Sequence, residues 1–197
     1  MSNLQSKHGG IVLAAGASSR MGQPKALLPC RNGSPLALNQ AHLLAVAGAV
    51  DVVIVLGCNV DCIVPKLEVP DIRIAYNPDW EDGRITSLQT GLRSVGSVRG
   101  TLILPVDTVG VKSATLSRVL EIAEQSNALA VRPAWQGTPG RVLWISGTLF
   151  NELLGIKPSL EFRLDAWIQD RQTVIPVDDE AIMRNINTPD DWAAILP

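Results

Sequence analysis

A chain of 197 residues, 46% of them hydrophobic, has the size and apolar content of one globular core, which excludes intrinsic disorder. A formal net charge of -2 excludes the footprint of a nucleic-acid or anionic-membrane binder, and no apolar run approaches the roughly 20 residues that span a bilayer. Three cysteines without zinc spacing, after a polar opening MSNLQSKHGG that lacks a signal-peptide pattern, lead us to expect a reducing cytoplasm.

Residues 1–9 read as a flexible polar arm and residues 10–197 as one domain. The first element, GIVLAA, is a buried strand that runs into a small-residue loop. SPLALNQAHLLAVAG follows as a helix, with Ser34 as cap, Pro35 in the first turn and Gly48 at the end. DVVIVLG is a β-branched strand, VDCIVPKL a short helix interrupted by Pro65, and DIRIAYN an alternating strand. ITSLQTGLRSV spaces Ile85, Leu88, Leu92 and Val95 as one helix face. GTLILPVD is a further buried strand, and SATLSRVLEIAEQ a helix with Ser113 as candidate cap. The last third offers ALAVRP, RVLWIS, GTLFNELLG, LEFRLDAWIQ, QTVIPVD and a closing helix PDDWAAIL. Strand–helix alternation of this kind implies an α/β fold with a mainly parallel sheet and helices on both faces. Such sheets bind ligands beyond the carboxyl ends of their strands.

Histidine chemistry is a poor fit, because the chain has only His8 and His42, one in the arm and one in a helix. Cys58 and Cys62 read as buried small apolar side chains. The five tryptophans read as core and rim packing.

The loop after the first strand carries more chemistry. Its backbone amides can form an anion nest, Gly16 allows close approach of a ligand, and Ala14, Ala15, Ser18 and Ser19 keep bulk out. Arg20 adds a planar fork for phosphate oxygens and Lys25 a mobile point charge. Together they describe a polyphosphate cradle, although neither a Walker motif nor G-x-G-x-x-G is present. LILPVD delivers Asp107 to a strand end, where it reads either as an Mg²⁺ ligand or as a turn aspartate. In NINTPDD, Asn187 reads as a second metal ligand or as part of a helix start capped by Thr188 and Pro189. In NPDWEDGRITSL, Gly83 and Ser87 sit at a helix start that could face a sugar or base.

LAAGASSRMGQPKALLP resembles the signature of the molybdenum cofactor nucleotidyltransferases, the molybdopterin cytidylyl- and guanylyltransferases, within the wider nucleoside-triphosphate transferases. The resemblance extends through NPDWEDGRITSLQTGL, LPVD, QGTPGRVLWIS and NINTPDDW. It implies a Rossmann-like fold in which Leu13, Ala14, Ala15 and Gly16 contact base and phosphates, Arg20 and Lys25 the triphosphate, and Asp107 the Mg²⁺. Gly83 and Ser87 join the expected nucleotide site, and Asn187 the metal site. The implied reaction moves CMP from CTP, with GTP as the alternative, to a phosphate-bearing acceptor of the molybdopterin type. A molybdoenzyme or its chaperone is the implied partner. Other readings are a sugar- or alditol-phosphate nucleotidyltransferase and a non-catalytic nucleotide-binding accessory protein. Two departures stand out. Thr108-Val109-Gly110 follows Asp107 where relatives have Asp-x-Pro, and Gly140-Arg141-Val142 replaces Gly-His-Pro. The second places Arg141 where the acceptor is expected.

Overall fold

The computed structural model describes residues 7–67 and 72–195. In chain order the elements are β1 (His8–Ala14), α1 (Leu36–Ala47), β2 (Ala49–Leu56), α2 (Val60–Ile63), β3 (Arg73–Tyr76), α3 (Arg84–Ser94), β4 (Gly100–Pro105) and α4 (Ser113–Gln125). They continue as β5 (Ala130–Trp135), β6 (Thr138–Pro139), β7 (Leu143–Ser146), α5 (Gly147–Gly155), α6 (Leu164–Ile168), β8 (Gln172–Pro176) and α7 (Pro189–Ile195). The sheet order is β3-β2-β1-β4-β7-β5-β6, with β8 also pairing β5. β1 pairs in parallel with both β2 and β4, whereas β7 runs antiparallel to its neighbours β4 and β5. The chain thus winds outward from β1 in both directions, and the gap between the ends of β1 and β4 is the point where strand order reverses.

Alternation along the strands feeds two cores. Val12, Ile54, Leu102 and Leu104 point to one face and pack with Leu44 of α1 and Leu116 and Val119 of α4. Ile11, Val53, Val55 and Ile103 point to the other and pack with Leu88 and Leu92 of α3 and Leu149 and Leu153 of α5. Side chains this buried contribute about 1.5–3 kcal/mol each. On the second face α3 lies very close to the sheet. A Cβ on Gly91 would stand 2.9 Å from both Ile11 and Val55, so only glycine fits there.

The elements follow the expected order, with instructive differences. The sheet begins at His8, so His8 and Gly9 belong to β1 and not to an arm; residues 1–6 lie outside the described residues. His8 is buried and accepts a hydrogen bond from the indole N–H of the buried Trp144 at 3.1 Å. α1 begins at Leu36 with Pro35, not Ser34, at the cap position. α4 is not capped by Ser113. Its first turn is closed from a distance by buried Asp179, which accepts from the Lys112 amide at 2.9 Å and the Thr115 hydroxyl at 2.6 Å. Cys62 is exposed and Cys58 half-buried, because α2 is a single turn with only Ile63 facing inward; Cys30 is the buried cysteine. Among the described residues no helix is long and apolar enough to cross a membrane.

Candidate active site

The loop leaving β1 is anchored at both ends and open in the middle. Ala14 and Ala15 are buried, and the Ala15 carbonyl accepts from the Cys58 amide at 3.0 Å. Met21 is buried and acts as the loop's plug. Ser18 adopts φ 54°, a left-handed conformation that costs a non-glycine residue energy and is held by its surroundings. Its carbonyl accepts from the Met21 amide at 2.9 Å and its hydroxyl from the Lys25 amide at 3.1 Å. Among the described residues, the amides of Gly16, Ala17 and Ser18 donate to no protein acceptor. Gly16 is exposed, with nothing within 4 Å of a Cβ built there. Successive free N–H groups on an exposed loop are the kind of donors that suit phosphate oxygens.

Lys25 begins the short 3-10 turn that follows, and the fold buries it to 9% exposure. Its ammonium donates to Asp107 Oδ2 at 3.3 Å and to Asn187 Oδ1 at 3.0 Å. The other Asp107 oxygen accepts from Arg141 Nη2 at 2.8 Å. Four residues expected from sequence therefore meet at one point: Lys25, Asp107, Arg141 and Asn187. Arg20 is exposed and lies within electrostatic reach of Asp191 in the first turn of α7, on the rim of the same site.

Each member is set in place by a different element. The backbone around Asp107 is gripped on three sides. The Val106 amide donates to Leu13 O at 3.0 Å, and the Ile186 amide donates to Asp107 O at 3.1 Å. From α1, the Gln40 side-chain amide donates to Val106 O at 3.3 Å and Thr108 O at 2.9 Å. Gln40, 1% exposed, was not foreseen as part of the site; the available signal is a polar residue on the buried face of a helix. Asn187 is positioned by a reciprocal cap at α7. Asp191 accepts from the amides of Asn187 and Thr188, while the Thr188 hydroxyl accepts from the Asp191 amide. These bonds hold the Asp191 carboxyl below the usual carboxylate range. NINTPDD is thus a helix start, and its cap presents the Asn187 amide oxygen to Lys25. Arg141 is tied through its own amide to Ile182 O at 2.9 Å, and Gly140 packs so tightly on Ile182 that a Cβ would come within 2.7 Å.

Beside this point a cavity of about 640 Å³ opens on the α3 side of the sheet. Its floor draws on adjacent strands, with Leu13 of β1, Ile103 and Pro105 of β4, Leu143 of β7 and Arg132 of β5. Arg84 at the start of α3, Arg163 just before α6 and Asp165 in the first turn of α6 form its walls. Four arginines thus face one aspartate. Arg84, Arg132, Arg163 and Asp165 were not expected in the site, since each reads locally as an ordinary helix, strand or loop residue. Burial pulls the Arg141 guanidinium below its ordinary pKa, with Asp107 opposing and Arg84 adding to the pull. It stays protonated all the same. Gly83 lines the cavity, with φ 111°. Ser87 is buried beneath it, where its hydroxyl accepts from the Asn77 side-chain amide at 2.9 Å.

Residues 10–174 match a family described as the MobA-like NTP transferase domain. The chain belongs to this family. As a MobA-like NTP transferase it is a nucleotidyltransferase. It is 26% identical over 184 residues to the molybdenum cofactor cytidylyltransferase of Escherichia coli K12, covering 92% of each chain. To the molybdenum cofactor guanylyltransferase of Xanthomonas euvesicatoria it is 28% identical over 195 residues, covering 98% of this chain and 96% of that one. A shorter match, 38% identical over 112 residues, links it to a nicotine blue oxidoreductase of Paenarthrobacter nicotinovorans. That match covers 56% of this chain and about half, 54%, of the relative. Among solved structures, a nucleotidyl transferase from Methanothermobacter superposes with a TM-score of 0.79 at 24% identity, covering 96% of each chain. A Mycobacterium tuberculosis protein solved in complex with manganese superposes with a TM-score of 0.74 at 21% identity, covering 96% of this chain and 98% of that one. Both likenesses bear on the fold.

Proposed function

We propose that this MobA-like transferase moves CMP from CTP to a phosphate-bearing acceptor of the molybdopterin type, releasing pyrophosphate. The observation that carries the reading is the convergence of Lys25, Asp107, Arg141 and Asn187 between an amide-lined loop and a cationic cavity. Leu13, Ala14, Ala15, Gly16 and Gly83 would frame the nucleotide, with Ser87 supporting that wall from below. Arg20 and Lys25 would bind its triphosphate, and Arg141 the acceptor phosphate. An acceptor phosphomonoester is largely dianionic at neutral pH, with a second pKa of about 6, so its attacking oxygen needs no side-chain base. The protein's work is orientation, which can lower a barrier by roughly 7–11 kcal/mol, and neutralisation of charge on the α-phosphate and leaving pyrophosphate.

The residues fit a divalent cation. Asp107 Oδ2 and Asn187 Oδ1 already converge on one positive charge, the Lys25 ammonium, and both are hard oxygen donors suited to Mg²⁺. Among the described residues no three carboxylate, imidazole or thiolate side chains gather as a closed metal cage. Phosphate oxygens and water would supply the remaining ligands. When bound, Mg²⁺ would neutralise phosphate charge and help align the nucleotide. Lys25 would then turn from Asp107 to the triphosphate.

The Ala14-Ala15-Gly16 opening is poorer in glycine than the opening of the guanylyl branch, which supports cytosine as the base. A cytoplasmic setting and delivery of the product to a molybdoenzyme or its chaperone belong to the same reading. The test is a matrix of four nucleoside triphosphates against molybdopterin and several sugar phosphates, read by pyrophosphate release. CTP with molybdopterin should be the productive pair. GTP preference would move the chain to guanylyl transfer, a sugar phosphate would change the acceptor, and no release with any pair would leave an accessory nucleotide binder.

A further inference from the structure

Arg132 is the anomaly of the cavity. Its neighbours across the floor are Leu13, Ile103 and Leu143, and it is itself 7% exposed. A guanidinium in such a place needs all its donors satisfied, because burial of an unpaired charge is costly. It is only partly satisfied. Nη2 pairs with Asp165 Oδ1 at 2.7 Å, but Asp165 is 79% exposed and reaches in from the cavity wall. The Nε–H is buried and has no partner among the described residues. An apolar side chain at this position would complete the floor at no such cost. Arg163 stands on the same wall as Asp165, so the far end of the cavity stays cationic in a chain whose net charge is -2.

The near end is Arg141 beside Asp107. Gly140, beside Arg141, donates through its amide to Pro133 O, beside Arg132, at 2.8 Å, so the two arginines stem from neighbouring segments, with the apolar Ile103 and Leu143 on the floor next to them. Arg141 is drawn to Asp107 and Arg132 to Asp165, so the two cations sit on either side of an apolar floor that suits a ring bearing charged groups. We propose that Arg132 and Arg163 form a second anion site, which takes a carboxylate or a phosphate that a cavity ligand carries beside an apolar body and apart from the phosphate held at Arg141. Which end reacts rests on the nucleotidyl-transfer reading; the existence of an anion site at Arg132 does not.

The test is calorimetric titration of the full chain in metal-free buffer, where no transfer occurs. The probes are phenyl phosphate, p-carbamoylphenyl phosphate, p-carboxyphenyl phosphate and hydroquinone bisphosphate. The two doubly anionic probes should bind about tenfold more tightly than the two singly anionic ones, as charge-assisted pairing at Arg132 requires. Whichever of the two binds more tightly identifies the second group as carboxylate or phosphate. Arg132→Gln should reduce that preference to less than about twofold while phenyl phosphate binds as before. Should Arg132→Gln fail to fold, Asp165→Asn decides, since it alters an exposed side chain. Removing the carboxylate that competes for Arg132 should tighten the doubly anionic probes a few-fold. Equal binding of all probes, no binding of any, a preference that survives Arg132→Gln, or one that Asp165→Asn leaves unchanged overturns the proposal. Pyrophosphate release is scored separately. An Arg132-dependent preference without turnover sinks only the transferase reading, and turnover without the preference sinks only the anion site.

Discussion

Asp107 accepts from Lys25 at one oxygen and from Arg141 at the other, so removing either cation leaves the carboxylate paired. Lys25→Ala should therefore cost only about 1.5 kcal/mol of stability, at the low end for a charge-assisted hydrogen bond. Turnover should fall by about 100-fold or more, because the ammonium that would follow the triphosphate is lost. Thermal melts and steady-state rates on one preparation separate the two effects. Asp107→Asn keeps the shape and removes the charge. The fold should survive, turnover should drop by about 100-fold or more, and Mn²⁺ binding followed by electron paramagnetic resonance should weaken. A variant with the wild-type rate and metal dependence would show that Asp107 is not the metal ligand.

Elements hold the site through a few cross-chain contacts. Asp179 joins the start of α4 to the 3-10 turn Glu180–Met183, whose Ile182 carbonyl in turn fixes the Arg141 backbone. Asp179→Ala strips partners from a buried amide and hydroxyl and should destabilise the protein by about 2 kcal/mol, read in urea melts. The α7 cap makes a prediction about acid. Asp191 has a lowered pKa in the folded state because amides donate to its carboxylate, so the unfolded chain binds its proton more readily. Its stabilising effect is present above the unfolded aspartate pKa of about 3.9 and is lost as pH falls through the lower folded value. The stability difference between wild type and Asp191→Asn should be constant near neutrality and shrink below about pH 4. A difference that stays the same down to pH 2 (about two units below that pKa) would show that the cap does not depend on the charge.

At the scale of the whole molecule, doubly wound topology brings the loop after β1 and Asp107 to one edge, beyond the ends of β1 and β4. The antiparallel β7 then extends that edge toward β5, which adds the cationic cavity beside it. Concentrating arginines in a cleft of a chain with net charge -2 focuses positive potential there, which would draw in the anionic substrates proposed above. Raising salt from about 50 to 500 mM should increase the KM of both substrates several-fold while kcat changes little, because screening acts on encounter and binding. Initial rates at several salt concentrations check this. A salt-independent KM would remove electrostatic attraction from the account.

Local sequence determined the order of elements and much of the chemistry. The β-branched run DVVIVLG is a buried strand, α4 spans the very residues whose apolar spacing marks it, and the small-residue loop with Arg20 and Lys25 stands out by composition alone. Tertiary structure decided what periodicity cannot encode. Lys25 meets partners 82 and 162 residues away, and α4 is capped by a residue 67 positions from Lys112. Arg132 reads as one residue of a strand, ALAVRP, until the sheet order sets it in the cavity floor with Arg141. Side-chain period and turn chemistry act over a few residues, so they are written in the local sequence. Which distant strands lie side by side is settled only when the two cores close on the sheet, and that closure is what makes four arginines into a site.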